Sequence, residues 1–256
     1  MKVGIFDSGL GGLLILKSFL ARRKLNKYDY IFLGDTKNLP YGNKSEREVF
    51  RLALKGIDFL FKNDCELVII ACNTISAESL RRIQQKYLPK SKFINRHVLG
   101  VVRPTVETVS KKSKIVGVIG TNRTIESNAY LREFKKYHPK LQVYQRATPL
   151  LVPIIESGNL DKLDEVLDHY LKPLIRRNID TLVLGCTHYG LVSDRIKKCL
   201  GNSVKLISQN EILPKKLESY LINHKKVEKK LSQNQTTKLF VTKQNRGYRN
   251  FKLIKL

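Results

Sequence analysis

Long apolar runs are missing from this chain. Nowhere in its 256 residues is there a stretch approaching the roughly 18 consecutive apolar residues of a membrane-spanning helix, so no membrane partner is expected. The first apolar stretch is a few residues long and is cut by Asp7, which is not the pattern of a secretory leader. The expected setting is therefore cytoplasmic. Cysteine is scarce, with four residues and no CxxC pair. That excludes a disulfide scaffold, a zinc knuckle and a thioredoxin-type motif. In a reducing compartment the thiols stay free. Cofactor fingerprints are absent as well. Asp7-Ser8-Gly9-Leu10-Gly11-Gly12 has Leu14 where the third glycine of GxGxxG belongs, and no Gly-Lys-Ser/Thr follows to make a P-loop. No metal-ligand spacing is present, so neither a metal nor a cofactor is expected. Acidic residues are few: 22 Asp and Glu stand against 48 Lys and Arg, a net charge of +26. Such an excess suits a polyanion. The lysines are scattered in pairs such as Lys111-Lys112 and Lys135-Lys136, and no RRM, zinc-finger or basic-zipper pattern accompanies them. A lysine-rich composition is the preferred reading, and nucleic acid is not favoured.

What is present is a duplication. Leu67 to Thr74 reads LVIIACNT, and Thr181 to His188 reads TLVLGCTH. Cys72 and Cys186 are 114 residues apart, and the same offset carries Asp7, after Val3–Phe6, onto Thr121, after Gly117–Gly120. Each half thus offers one thiol at the end of an apolar run. A pseudo-twofold axis would set the two thiols across a cleft, one on each face of a substrate carbon. Cys65 and Cys199 lie outside the repeated context and read as packing residues.

Short apolar runs predict strands at Val3–Phe6, Tyr30–Leu33, Leu67–Ala71, Val98–Val102, Ile115–Ile119, Thr181–Gly185 and Val204–Ile207. Amphipathic segments predict helices at Leu13–Arg23, Ser45–Lys62, Thr74–Lys86, Pro104–Lys111, Ser127–Tyr137, Leu160–Arg177, Leu191–Leu200 and Glu211–Leu221. This alternation predicts an α/β fold of two pseudo-symmetric domains with mainly parallel sheets and the active site in the cleft between them. The first domain is expected to comprise residues 1–98 with 209–256, the last segment returning with a late strand at Lys238–Thr242. The second is expected over 99–208. Ligands of open α/β sheets bind beyond the carboxyl ends of strands, where Asp7, Asp35, Cys72, Thr121 and Cys186 fall.

The DSGLGG turn between a strand and a helix can offer backbone N–H groups to a carboxylate, although Asp7 could equally cap the helix. Pro40-Tyr41-Gly42 is a turn able to close over a ligand. Cys72-Asn73-Thr74 and Cys186-Thr187-His188 each place a thiol beside small polar donors at a strand-to-helix turn, where a helix N-terminus favours thiolate. His188 is the one histidine of five beside a candidate site. His97, His138, His169 and His224 read as surface or satisfied structural residues.

Taken together, GIFDSGLGG, GDTKNLPYG, ACNTISA, GVIGTNRTIESNAY and LGCTHYG resemble glutamate racemase, within the cofactor-independent aspartate/glutamate racemase superfamily. The resemblance runs over essentially the whole chain in the right order. It implies interconversion of L- and D-glutamate for peptidoglycan by a two-base mechanism with Cys72 and Cys186 as the acid/base pair, Cys72 acting on D-glutamate and Cys186 on L-glutamate. It further implies that Asp7 and His188 assist the cysteines. The implied substrate-binding residues are Asp7, Ser8, Tyr41, Gly42, Asn73, Thr74, Thr121, Thr187 and His188. A homodimer is the usual assembly. Departures from the family pattern are Arg103 before Pro104 where glutamate is usual, Gly190 after Tyr189 where proline is usual, Ser208-Gln209-Asn210 in place of an aspartate-led motif, and no acidic residue in Val241-Thr242-Lys243. Other readings remain: a racemase of the same fold for aspartate or another small acid, or a basic nucleic-acid-associated protein on the same scaffold.

Overall fold

The computed structural model describes residues 1–244 and 251–256. Among them are ten strands: β1 (Lys2–Asp7), β2 (Tyr30–Gly34), β3 (Cys65–Ile70), β4 (His97–Gly100), β5 (Ile115–Gly120), β6 (Gln142–Ala147), β7 (Thr181–Gly185), β8 (Lys205–Ile207), β9 (Thr237–Val241) and β10 (Lys252–Leu253). They form two sheets, ordered β10-β9-β2-β1-β3-β4 and β6-β5-β7-β8. Every strand pairing in both is parallel. Four strands of the first sheet, β2-β1-β3-β4, have the same order as the whole of the second. The duplication read from the cysteine contexts is therefore a duplication of topology. The chain passes to the second sheet after Gly100. It returns through the helix Gln209–Asn223 to β9, which adds to the free edge of β2.

Parallel strands covered on both faces must be apolar on both, and β1 to β3 are nearly continuous hydrophobic runs for that reason. Alternate residues divide between two cores. Phe6, Leu33, Val68 and Ile70 pack under the helix Glu46–Lys62, while Val3, Ile5, Phe32 and Leu67 pack against the helices Gly11–Leu20 and Gln209–Asn223. The second sheet does the same, with Leu182 and Leu184 on one face and Val116, Val118 and Val183 on the other.

Local structure departs from the sequence expectations in several places. The strand expected at Val98–Val102 ends at Gly100, and Val102 already opens a helix, Val102–Thr108, that holds Pro104 in its first turn. There proline loses no helical hydrogen bond. The helix expected at Thr74–Lys86 is broken into Asn73–Glu78, Leu80–Arg82 and a π-helical turn, Ile83–Tyr87. Strand β6 was not expected, because QVYQRA is half polar. It is an edge strand, and its residues are mostly only half-buried. The helix Leu151–Ser157 was also missed, being short and carrying Pro153. No helix among the described residues is long and apolar enough to cross a membrane.

Candidate active site

Six chain segments meet beyond the carboxyl ends of β1, β2, β3, β5 and β7. A narrow, nearly closed cleft there is lined by Ser8, Tyr41, Gly42, Cys72, Asn73, Thr74, Thr121, Cys186, Thr187 and His188, with Leu39, Pro40 and Val152 completing the wall. Both thiols are free and nearly buried, at 5 % and 6 % exposure. Among the described residues no group of three or more His, Cys, Asp or Glu could hold a metal ion.

Asp7, the last residue of β1, is fully buried and does not line the cleft directly. Its carboxylate accepts hydrogen bonds from the Gly12 backbone N–H and from Thr187 Oγ1 at 3.2 Å. Burial pushes its pKa up, and the His188 charge and these hydrogen bonds only partly offset the rise. Cys72 follows β3 and opens the helix Asn73–Glu78, with its Sγ 3.6 Å from Ser8 Oγ. Burial first, and then the negative charge of Asp7, push its thiol up to about 12. Cys186 follows β7 with its Sγ 3.7 Å from His188 Nδ1. The other ring nitrogen of His188, Nε2, is 2.6 Å from Glu156 Oε1. Burial opposes a charged His188, but the hydrogen bonds to Cys186 and Glu156 outweigh it and raise the imidazole to about 10. The Glu156 carboxyl, although desolvated, is held below its usual range by the same histidine.

The halves touch through small residues. A Cβ on Gly11 would lie 2.4 Å from Thr187 Oγ1 and 2.5 Å from the His188 backbone nitrogen. A Cβ on Gly42 would lie 2.5 Å from Thr121 Cβ. Glycine at both positions lets the loops of the first half close on the second. Across the same seam, Thr74 Oγ1 is 2.9 Å from Thr121 Oγ1, and the Leu10 N–H donates to Glu156 Oε1 at 2.9 Å. Tyr41 is aimed away from a ligand role for its hydroxyl, which donates to Asp35 Oδ2 at 2.5 Å. Asp35 also accepts from Asn38 and Thr242, so it braces the loop from outside the cleft.

All the residues expected at the site meet here, Asp7 from just behind the cleft wall. Glu156 was missed, because a lone glutamate before Ser157-Gly158 carries no motif. Its partner His188 was the only available signal, and that does not point along the chain. Tyr130 and Gln209 were also missed; both are buried against Asn73. The remaining histidines mostly serve structure. His138 Nε2 meets Val106 O at 3.1 Å, His169 stands edge-on to Tyr170, and His224 stacks on Tyr220. His97 is partly exposed, with its Nδ1 3.7 Å from Glu66 Oε1. None of the departures from the family pattern lines the cleft. Arg103 pairs with Glu107 at 2.8 Å, Ser208 bonds Asn210 beside Gly190, and Thr242 donates to Asp35 where an acidic residue would repel it.

Comparison with known proteins supports the fold and gives the family. Residues 22–216 match the family described as Asp/Glu/Hydantoin racemase. Glutamate racemase of Aquifex pyrophilus is 40 % identical over 225 residues, covering 86 % of this chain and 84 % of the relative. That of Geobacter metallireducens is 41 % identical over 213 residues, covering 82 % and 76 %. The crystal structure of glutamate racemase from Francisella tularensis in complex with D-glutamate superposes with a TM-score of 0.85 at 34 % identity, over 97 % of this chain and 90 % of that one. With two parallel sheets of duplicated topology closing on a pair of buried thiols, this chain belongs to the glutamate racemases of the Asp/Glu/Hydantoin racemase family.

Proposed function

We propose that this protein interconverts L- and D-glutamate without a cofactor, using Cys72 and Cys186 as the two acid/base groups, and so supplies D-glutamate for peptidoglycan in the cytoplasm. The observation that carries the reading is one thiol at the end of a central strand in each of two equivalent sheets, both lining one closed cleft. The reading takes residues 1–98 with 209–256 and residues 99–208 as the two domains that hold them, and a homodimer as the assembly. Sedimentation at micromolar concentration tests that assembly.

Racemisation needs a proton removed from one face of Cα and another delivered to the opposite face. One sulfur, as thiolate, takes the Cα proton; its S–H bond forms as the C–H bond breaks, and the electron pair passes into the substrate carboxylate. The other sulfur, as thiol, gives its proton to Cα and becomes thiolate. Charge therefore develops on the carboxylate oxygens, where fixed donors act most strongly. Ser8, Asn73, Thr74 and Thr187 are the donors at hand. Burial and the Asp7 charge favour the neutral thiol at Cys72. An incoming α-ammonium group brings the positive charge that favours its thiolate. On the other side, protonated His188 stands next to Cys186 and can exchange a proton with it.

The test is a racemisation assay followed by circular dichroism, with glutamate and aspartate side by side in D₂O. L-Glutamate should be converted far faster than aspartate. The D-product should carry deuterium at Cα, and substrate recovered early should carry little. Heavy early labelling of the substrate pool would point to a single base, and turnover of aspartate alone would replace glutamate as the substrate.

A further inference from the structure

Asn73 is 2 % exposed, lines the cleft, and holds one buried amide nitrogen with no partner. Which end of an amide faces a ligand is decided by what grips the other end. Here the chain of decisions can be followed back to the backbone. Gln209, first residue of the helix Gln209–Asn223, places its Nε2 at 2.6 Å from the carbonyl oxygen of Leu184 in β7. A carbonyl only accepts, so that end of Gln209 must be the donor. The same Nε2 is 3.4 Å from Asn73 Oδ1 and 3.3 Å from Tyr130 Oη. Tyr130 Oη in turn donates to Asn73 Oδ1 at 2.7 Å. Reversing the Asn73 amide would set donor against donor at Gln209. The oxygen is therefore held inward, and the nitrogen is left for whatever occupies the cleft.

We infer that Gln209, with Tyr130, is a positioning residue that locks the Asn73 amide so that Nδ2 donates to the substrate carboxylate. The inference rests on the proposed glutamate reaction. Gln209 belongs to the segment that returns the chain to the first sheet, Tyr130 to the second half and Asn73 to the first. The lock is complete only when the halves are closed, so the donor is oriented only in the closed cleft. An unpaired donor at an enclosed site also discriminates: it is satisfied by a carboxylate and left orphaned by an uncharged analogue.

The test reverses the lock. In Gln209→Glu the new carboxylate can only accept, so it loses the Leu184 carbonyl, takes the Tyr130 hydroxyl hydrogen bond instead, and leaves the Asn73 amide to turn its Nδ2 inward and offer its oxygen to the substrate. Because charge grows on that carboxylate as the reaction proceeds, the loss falls on kcat as well as on KM. The expected result is a kcat/KM for glutamate lowered about thirtyfold, shared between a raised KM and a lowered kcat. Gln209→Met, which removes the lock without reversing it, should lower kcat/KM less. Thermal midpoints report whether each variant is folded. In an Asn73→Ala background, Gln209→Glu should add no further change, because the group it acts through is gone. Unchanged kcat/KM in folded Gln209→Glu, or the same loss with and without Asn73, overturns the inference while leaving the racemase reading intact. A folded wild type that does not racemise glutamate in the same assay defeats both.

Discussion

The two halves carry the same four-strand order and put a cysteine at the same strand end, yet their surroundings differ in sign. Cys72 lies near a buried carboxylate, Asp7, and a neutral hydroxyl, Ser8, and is held as a thiol. Cys186 lies next to an imidazole that its own hydrogen bond and that of Glu156 favour in the charged form. Duplication therefore explains where the sulfurs are but not how each handles its proton. A racemase must run in both directions, and the two faces can have different partners as long as each sulfur can be both base and acid. The partners also cross the seam. Asp7, on the Cys72 side, accepts from Thr187 on the Cys186 side, and Glu156 on the second half accepts from Leu10 on the first. Each half thus completes the other's site.

The most severe way to break the comparison is to remove the sulfurs. Cys72→Ala and Cys186→Ala should each lower racemisation by at least about a thousandfold, the scale of a lost acid/base group, with circular dichroism spectra unchanged. Near-normal turnover by either would end the symmetric two-thiol reading. The next test separates the halves. Glu156→Gln keeps an acceptor for His188 Nε2 but removes the negative charge behind it, so the imidazole should titrate below its present value of about 10. The alkaline limb of the pH–rate profile should then move to lower pH and kcat should fall by up to about a hundredfold. The sign follows from the chemistry: a carboxylate favours imidazolium, and a neutral amide does not. A profile that keeps its alkaline limb would show that His188 does not govern proton supply to Cys186.

Smaller effects are expected from the seam itself. Gly11→Ala drives a methyl into Thr187 Oγ1 and the His188 backbone, whereas Gly42→Ala meets the side chain of Thr121. Backbone cannot step aside as a side chain can, so Gly11→Ala should cost more, about 1–3 kcal/mol of stability by denaturant titration, and more activity as well. Equal losses at the two positions would mean that the halves separate freely. The smallest effects belong to the thiols outside the repeat. Cys65→Ala should leave kcat and KM unchanged and lower stability by about 1 kcal/mol, because Cys65 is wholly buried at the start of β3. Cys199→Ala, at a half-exposed helix position, should change neither measurably.

Much of the architecture was legible in the chain because parallel strands buried on both faces must be written as apolar runs. β1, β3, β5 and β7 are such runs, and the residues that follow them are the site. β6 was not legible, because an edge strand needs no such run, and the helix Leu151–Ser157 that follows it was hidden for a similar reason. Within the site, residues embedded in a motif could be read, while residues that act across the seam could not.

Sequence alone determined that two thiols terminate equivalent strands, that glycine and small polar residues follow them, and that no nucleotide or metal motif is present. These are local statements, and local patterns suffice for them. Tertiary structure decided the rest. It brought Glu156 to His188 over 32 positions, Thr187 to Asp7 over 180, and Gln209 to Asn73 over 136. No periodicity encodes such pairs, because hydrogen bonds between distant segments depend on how the sheets close. The electrostatic difference between the two thiols is set by those contacts, through burial that only the folded chain provides.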